Sequence, residues 1–158
     1  MKKIPSFVID HNKLLRGIYV SRIDTVGDDC VTTFDIRMKE PNREPVIDIP
    51  ALHTIEHMGA TYLRNDGQWK DDVVYFGPMG CRTGCYLLLK GRLGSGEIVE
   101  LVKGLYRFMS MYEGEVPGAA AVECGNYLNH DLVMARWESE KFYREVLEHI
   151  AEKNLVYP

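Results

Sequence analysis

The run Val31-Thr32-Thr33-Phe34-Asp35-Ile36-Arg37-Met38 alternates residue by residue. Thr32, Phe34, Ile36 and Met38 fall on one side, and Val31, Thr33, Asp35 and Arg37 on the other. A period of two marks a half-buried β-strand, with Asp35 and Arg37 turned to solvent or into a site. Pro41, Asn42 and Pro45 break it. Downstream the period changes. Leu52, Ile55, Gly59 and Tyr62 recur at helical spacing, flanked by Met58 and Leu63, which predicts a helix over about 50–64. Pro50 suits its first turn, and Asn65-Asp66-Gly67 ends it. Short apolar runs at 73–76, stopped by Gly77-Pro78, and at 85–89 read as strands, though periodicity alone does not separate such runs from buried helix segments. Ile98, Leu101, Val102, Leu105, Phe108, Met109 and Tyr112 give a long amphipathic helix with Gly114 as its stop. A last helical region covers about 131–153, with a break expected near Ser139. Strands and helices mix without clean βαβ alternation, and no dinucleotide or phosphate-loop glycine fingerprint occurs. The expected fold is α+β, with an antiparallel sheet packed with helices.

Length and charge narrow the function classes. The chain has 158 residues, which suits one domain over 1–158, since domains most often hold ~100–150 residues. Its net charge is −4, and it has no Lys/Arg-rich run. A general nucleic-acid or anionic-membrane binder is therefore not expected, and no apolar stretch approaches the ~18 residues of a membrane span. Met1-Lys2-Lys3-Ile4-Pro5-Ser6 carries charge with no apolar run behind it, so no signal peptide is expected. The four cysteines, Cys30, Cys81, Cys85 and Cys124, are then expected as reduced thiols in a cytoplasmic protein, free for metal binding or catalysis.

Chemistry concentrates in His53-Thr54-Ile55-Glu56-His57. On a helix, residues four apart share a face, so both imidazoles can reach one metal ion. Glu56 lies at the edge of that face. This H-x-x-E-H order also occurs in a class of metallopeptidases. Two imidazoles are too few for a transition metal. His11, His130, Cys81, Cys85, Cys124 and many carboxylates are candidates for the next ligand, and spacing does not choose among them. Cys81 sits in Gly77-Pro78-Met79-Gly80-Cys81-Arg82-Thr83-Gly84, a glycine-rich loop that suggests an exposed, reactive thiol. Taken alone, Arg37 and His11 read as solvated residues, and His130-Asp131 reads first as a helix cap.

Six blocks occur in order: Ser6-Phe7…Asp10-His11, Phe34-Asp35-Ile36-Arg37, His53-Thr54-Ile55-Glu56-His57, the loop from Gly77 to Gly84, Glu123-Cys124-Gly125 and His130-Asp131-Leu132. With them the sequence closely resembles the S-ribosylhomocysteine lyase (LuxS) family, the bacterial autoinducer-2 production proteins. The resemblance runs from about Ser6 past Leu132. It implies an α+β homodimer with active sites at the subunit interface. It implies one Fe(II) per subunit, replaceable by Zn or Co, on positions matching His53, His57 and Cys124. Positions matching Glu56 and Cys81 are the family's general acid/base pair, and those matching Ser6, His11 and Arg37 contact substrate. Arg37 is expected to cross over to the partner's metal.

The implied reaction cleaves the thioether of S-ribosyl-L-homocysteine to L-homocysteine and 4,5-dihydroxy-2,3-pentanedione, the autoinducer-2 precursor. It proceeds by two carbonyl shifts through enediolates and a β-elimination. Such an enzyme serves both the activated methyl cycle and quorum sensing. The alternative is an H-x-x-E-H metallopeptidase, against which the short chain and the thiol ligand argue.

Overall fold

The alternating run becomes the centre of a four-stranded antiparallel sheet of order β1-β2-β4-β3. The strands are β1 (Gly17–Val26), β2 (Asp29–Arg37), β3 (Val73–Pro78) and β4 (Gly84–Lys90), and α1 (Ile49–Asn65), α2 (Val99–Met111) and α3 (Leu132–Glu145) complete the domain. The computed structural model describes residues 8–158; Ser6 lies outside them. Phe34 pairs with Val20 on one side and Leu87 on the other. With Ile18, Ile36, Leu89 and Phe76 it forms a core into which α1 sends Leu52, Ile55 and Met58, α2 sends Val102 and Leu105, and α3 sends Phe142. The α+β expectation holds, and no helix among the described residues is long and apolar enough to cross a membrane.

Three local expectations change, and one strand was not expected at all. β2 is buried on both faces from Thr32 onward, where alternation predicts one wet face. The second face carries Asp35 and Arg37, which neutralise each other, and Tyr157 stacks there on Tyr19. β1 leaves no clear mark in the sequence. Its second half is largely exposed, so its strand conformation is set by its ladder with β2 rather than by apolar periodicity. β3 continues through Gly77-Pro78, because it is an edge strand that can do without the proline's missing donor. The last helix passes unbroken through Ser139, which is fully buried. It ends at Val146, and two short 3-10 turns, Leu147–His149 and Glu152–Asn154, follow.

Candidate metal centre and thiol pocket

α1 begins where the sequence places it. Asp48 caps it by accepting from the Ala51 backbone N–H at 2.9 Å, which satisfies one of the donors left free at a helix start. The next turn presents His53 and His57 side by side, with ring centroids 4.7 Å apart. Each ring is fixed from behind. His53 Nδ1 donates to the Asn129 carbonyl at 2.8 Å and His57 Nδ1 to the Pro117 carbonyl at 2.7 Å. A carbonyl only accepts, so Nδ1 carries the proton in both rings and Nε2 presents a lone pair. This arrangement is usual for metal-bound histidine, where the outer nitrogen is held by a carbonyl or carboxylate. Gly118, at φ +69°, keeps its backbone close against His57, where a Cβ would lie 3.1 Å from Nδ1.

The segment that supplies these carbonyls also brings Cys124, whose Sγ lies 3.5 Å from His53 Nε2. His130 completes the group. One ligand atom from each of His53, His57, Cys124 and His130 lies within 4.8 Å of the others, and all four residues are half-buried. The Thr54 hydroxyl donates to the Pro50 carbonyl and accepts from the Asp131 N–H. It therefore accepts from His130 Nδ1 as well, at 3.2 Å. That leaves His130 Nε2 as a buried lone pair with no partner among the described atoms. Burial, then the neighbouring His53 and His57, lowers the His130 pKa and keeps the ring neutral. The donor set of neutral imidazoles and a thiol fits Fe(II), Co(II) or Zn(II) and not Mg or Ca. Among the open candidates for a third ligand, the fold thus brings Cys124 and His130 to the helical pair. Cys85 is excluded, since its sulfur is fully buried in the core and burial, then Glu56, pushes its thiol well up.

A second cluster forms on the far face of the sheet. His11, Arg37 and Cys81 line one pocket of about 250 Å³ with Ile9, Ser21, Asp35, Met79, Gly80, Tyr86 and Tyr157. None of the metal-type residues, nor Glu56, is among its walls. Arg37 is buried, not solvated, and forks onto Asp35 through Nε and Nη2. Its Nη1 turns to the Thr83 hydroxyl and to Cys81 Sγ at 3.8 Å. Cys81 is exposed, and its Sγ lies 3.1 Å from Thr83 Oγ1. Partial burial raises the thiol's pKa, but hydrogen bonds from Thr83 and the Arg37 cation outweigh it, so the net shift is downward. The loop reaches this geometry through Gly84, where a Cβ would sit 2.1 Å from the Ile36 carbonyl oxygen. Thr83 and Tyr157 escape sequence reasoning, which places Asp35 beside Arg37 on the strand but not as its partner. Asp35 sits two residues from Arg37 on the same strand face, a signal open to a reader looking for a partner. Tyr157 offers none.

One small α+β domain thus carries two functional clusters, an imidazole–thiol group of metal-ligand geometry and an activated thiol beside a buried arginine. That combination is of the class of an enzyme with a group able to hold a metal and a separate thiol of lowered pKa. The S-ribosylhomocysteinase (LuxS) family model matches residues 4–153, and the chain belongs to that family. The S-ribosylhomocysteine lyase of Phocaeicola vulgatus is 66% identical over 158 residues, covering 100% of this chain and 98% of that protein. The S-ribosylhomocysteine lyases of Porphyromonas gingivalis and Desulfotalea psychrophila are 58% and 54% identical, each over 100% of this chain and 99% of the relative. The metallopeptidase alternative is not favoured.

Proposed function

We propose that the protein is a carbon–sulfur lyase that cleaves S-ribosyl-L-homocysteine to L-homocysteine and 4,5-dihydroxy-2,3-pentanedione, the autoinducer-2 precursor. The observation that carries this reading is the pair of imidazoles locked through Nδ1 and facing Cys124, in a chain that matches the family over nearly its whole length. His53, His57 and Cys124 would hold one divalent ion, Fe(II) in this reading, with Zn or Co able to substitute. When bound, such an ion acts as a Lewis acid toward the substrate's carbonyl oxygens.

The rest of the chemistry explains the residues. The substrate's C5–S bond has no neighbouring carbonyl to let sulfur leave. Ring opening exposes an aldehyde at C1, and two shifts move the carbonyl through C2 to C3. Each shift takes a proton from one carbon and returns one to its neighbour. With the carbonyl at C3, the C4 proton is acidic. Its removal forms the C4–C5 double bond and breaks C5–S, and sulfur leaves with the bonding pair and takes up a proton. Two positioned groups of different basicity are needed. Glu56 and Cys81 fill these roles. The Cys81 sulfur, ionised more readily than an ordinary thiol, accepts and returns protons at carbon. Ser6, His11 and Arg37 bind the substrate. His130, half-buried and with its pKa lowered, keeps the wall beside His53 polar without adding charge.

The reading includes a cytoplasmic homodimer. Its support is the separation of the two clusters: the pocket of Cys81 and Arg37 has no wall from the metal-type group, and a partner subunit can bring the two together. The test is thiol release from S-ribosylhomocysteine under anaerobic conditions, with casein as a parallel substrate. Homocysteine release that is lost on chelation and restored by Fe(II) or Co(II) is the expected result. A chelated, metal-free protein with full activity, or casein hydrolysis without thiol release, would overturn it.

A further inference from the structure

Tyr157 lies far in sequence from every motif, yet it stands in the wall of the Cys81 pocket opposite the glycine-rich loop. Its ring lies parallel to that of Tyr19, with centroids 4.8 Å apart and planes 11° from parallel. Tyr19 is buried and held by its own hydroxyl, which donates to the Leu15 carbonyl at 3.1 Å. The stack therefore fixes Tyr157 against a rigid surface. From there its hydroxyl donates to Asp35 Oδ2 at 2.8 Å. The same carboxylate takes both Nε and Nη2 of Arg37, and the remaining Arg37 nitrogen faces Thr83 and the Cys81 sulfur. The chain of contacts is continuous from the Tyr157 hydroxyl to the thiol.

We propose that Tyr157 is a positioning residue of the Cys81 pocket: its ring closes the pocket wall, and its hydroxyl holds Asp35, which fixes the Arg37 guanidinium beside the sulfur. The proposal rests on the reading that Cys81 moves protons in the lyase reaction. The physical reason is charge accounting. Asp35 and Arg37 are both buried, and a carboxylate that spends part of its charge on a third donor pulls less on the cation beside it. More of the Arg37 field then reaches Cys81. Removing the hydroxyl leaves Asp35 with the guanidinium alone, turns Arg37 more fully toward it, and weakens the support for the thiolate. Burial, then Asp35, pushes the Tyr157 pKa well up, so the phenol keeps its proton across the working range. The titratable or charged groups that share the pocket with Cys81 are His11, Asp35, Arg37, Tyr86 and Tyr157.

The experiment compares Tyr157→Phe and Tyr157→Ala with the unsubstituted protein in the metal-loaded form. The rate of Cys81 alkylation by iodoacetamide is followed against pH without substrate, and a Cys81→Ala control subtracts the other thiols. The kinetics of thiol release from S-ribosylhomocysteine are measured alongside. Tyr157→Phe keeps the stack and removes only the hydroxyl. It should move the alkylation midpoint up by about half a pH unit, the scale of a partial loss of one charge-assisted hydrogen bond. Tyr157→Ala should show the same rise and, with its wall gone, lift KM by roughly tenfold, more than it lowers kcat. An alkylation midpoint unchanged in Tyr157→Phe, in protein of unaltered circular dichroism, overturns the proposal. Because that readout needs no substrate, it stands apart from the lyase reading, whose failure would show instead in the thiol-release and chelation results of the unsubstituted protein.

Discussion

Cys81 sits between opposing effects. Partial burial disfavours its thiolate, whereas Thr83 and Arg37 favour it and prevail. For a thiol whose pKa is lowered, the thiolate persists as pH falls until that lowered value is crossed, so if Cys81 moves protons as proposed, the acid limb of activity should lie below the ordinary thiol range. Thr83→Val removes the hydroxyl while keeping the shape. The acid limb of kcat/KM, and of Cys81 alkylation, should move to higher pH in that variant; an unmoved limb would show that Thr83 does not tune the sulfur. Glu56 differs, since it stands on α1 between the two histidines. Cys81→Ala and Glu56→Ala should each lose ~10²–10⁴-fold in rate, the usual contribution of a positioned proton-transfer group. Metal content measured by elemental analysis should stay normal in both. Loss of metal from Cys81→Ala would mean that the wrong cysteine had been assigned as ligand.

Among the elements, β2 does the joining. One face supplies Phe34 and Ile36 to the core and the other supplies Asp35 and Arg37 to the pocket, and just past its end Lys39 pairs with Glu138 of α3, both buried. Lys39 also lies 5.5 Å from the Trp137 ring. A buried ion pair adds little over a well-packed apolar pair, but breaking one side strands a charge, at a cost of about 3–5 kcal/mol. Lys39→Met should therefore destabilise the fold by that amount in urea titration, and Lys39→Met with Glu138→Leu should recover most of it. A double variant as unstable as the single one would locate the cost elsewhere. This contact also explains why no break occurs near Ser139. Ser139 in isolation suggests a weak helix position, but it is buried on a helix tied to Lys39 through Glu138 and packed on α2 and α1, and that packing overrides propensity.

At the scale of the whole molecule, the proposed dimer would join the two clusters into one active site. In a two-fold dimer each subunit lends the same patch to the other. If the Cys81–Arg37 pocket serves the partner's metal, His53→Ala and Cys81→Ala subunits are each inactive alone. A heterodimer of the two carries one site with both defects and one with neither. Co-expressed heterodimers, isolated through two different tags, should then recover roughly half of the unsubstituted activity. If they stay as dead as their parents, each subunit uses its own thiol and Arg37 does not cross over.

Beyond the six ordered blocks that carried the family, what the sequence determined by itself was local. Alternation marked β2, helical spacing set the histidine pair on one face of α1, and the glycines around Cys81 announced an unusual loop. Each of these follows from backbone periodicity or from the conformations a residue allows, so each can be read within a few neighbouring positions. The tertiary structure decided the remainder. It brought Cys124 and His130, out of the candidates that spacing left open, to the histidine pair, because only the folded segment from Pro117 to Asp131 lays them against α1 and anchors the imidazoles through its carbonyls. It buried Arg37 with Asp35 and brought Tyr157 onto both. Those pairings cross long stretches of chain, and no local pattern encodes them, since they arise from strands, helices and tail packing on one shared sheet.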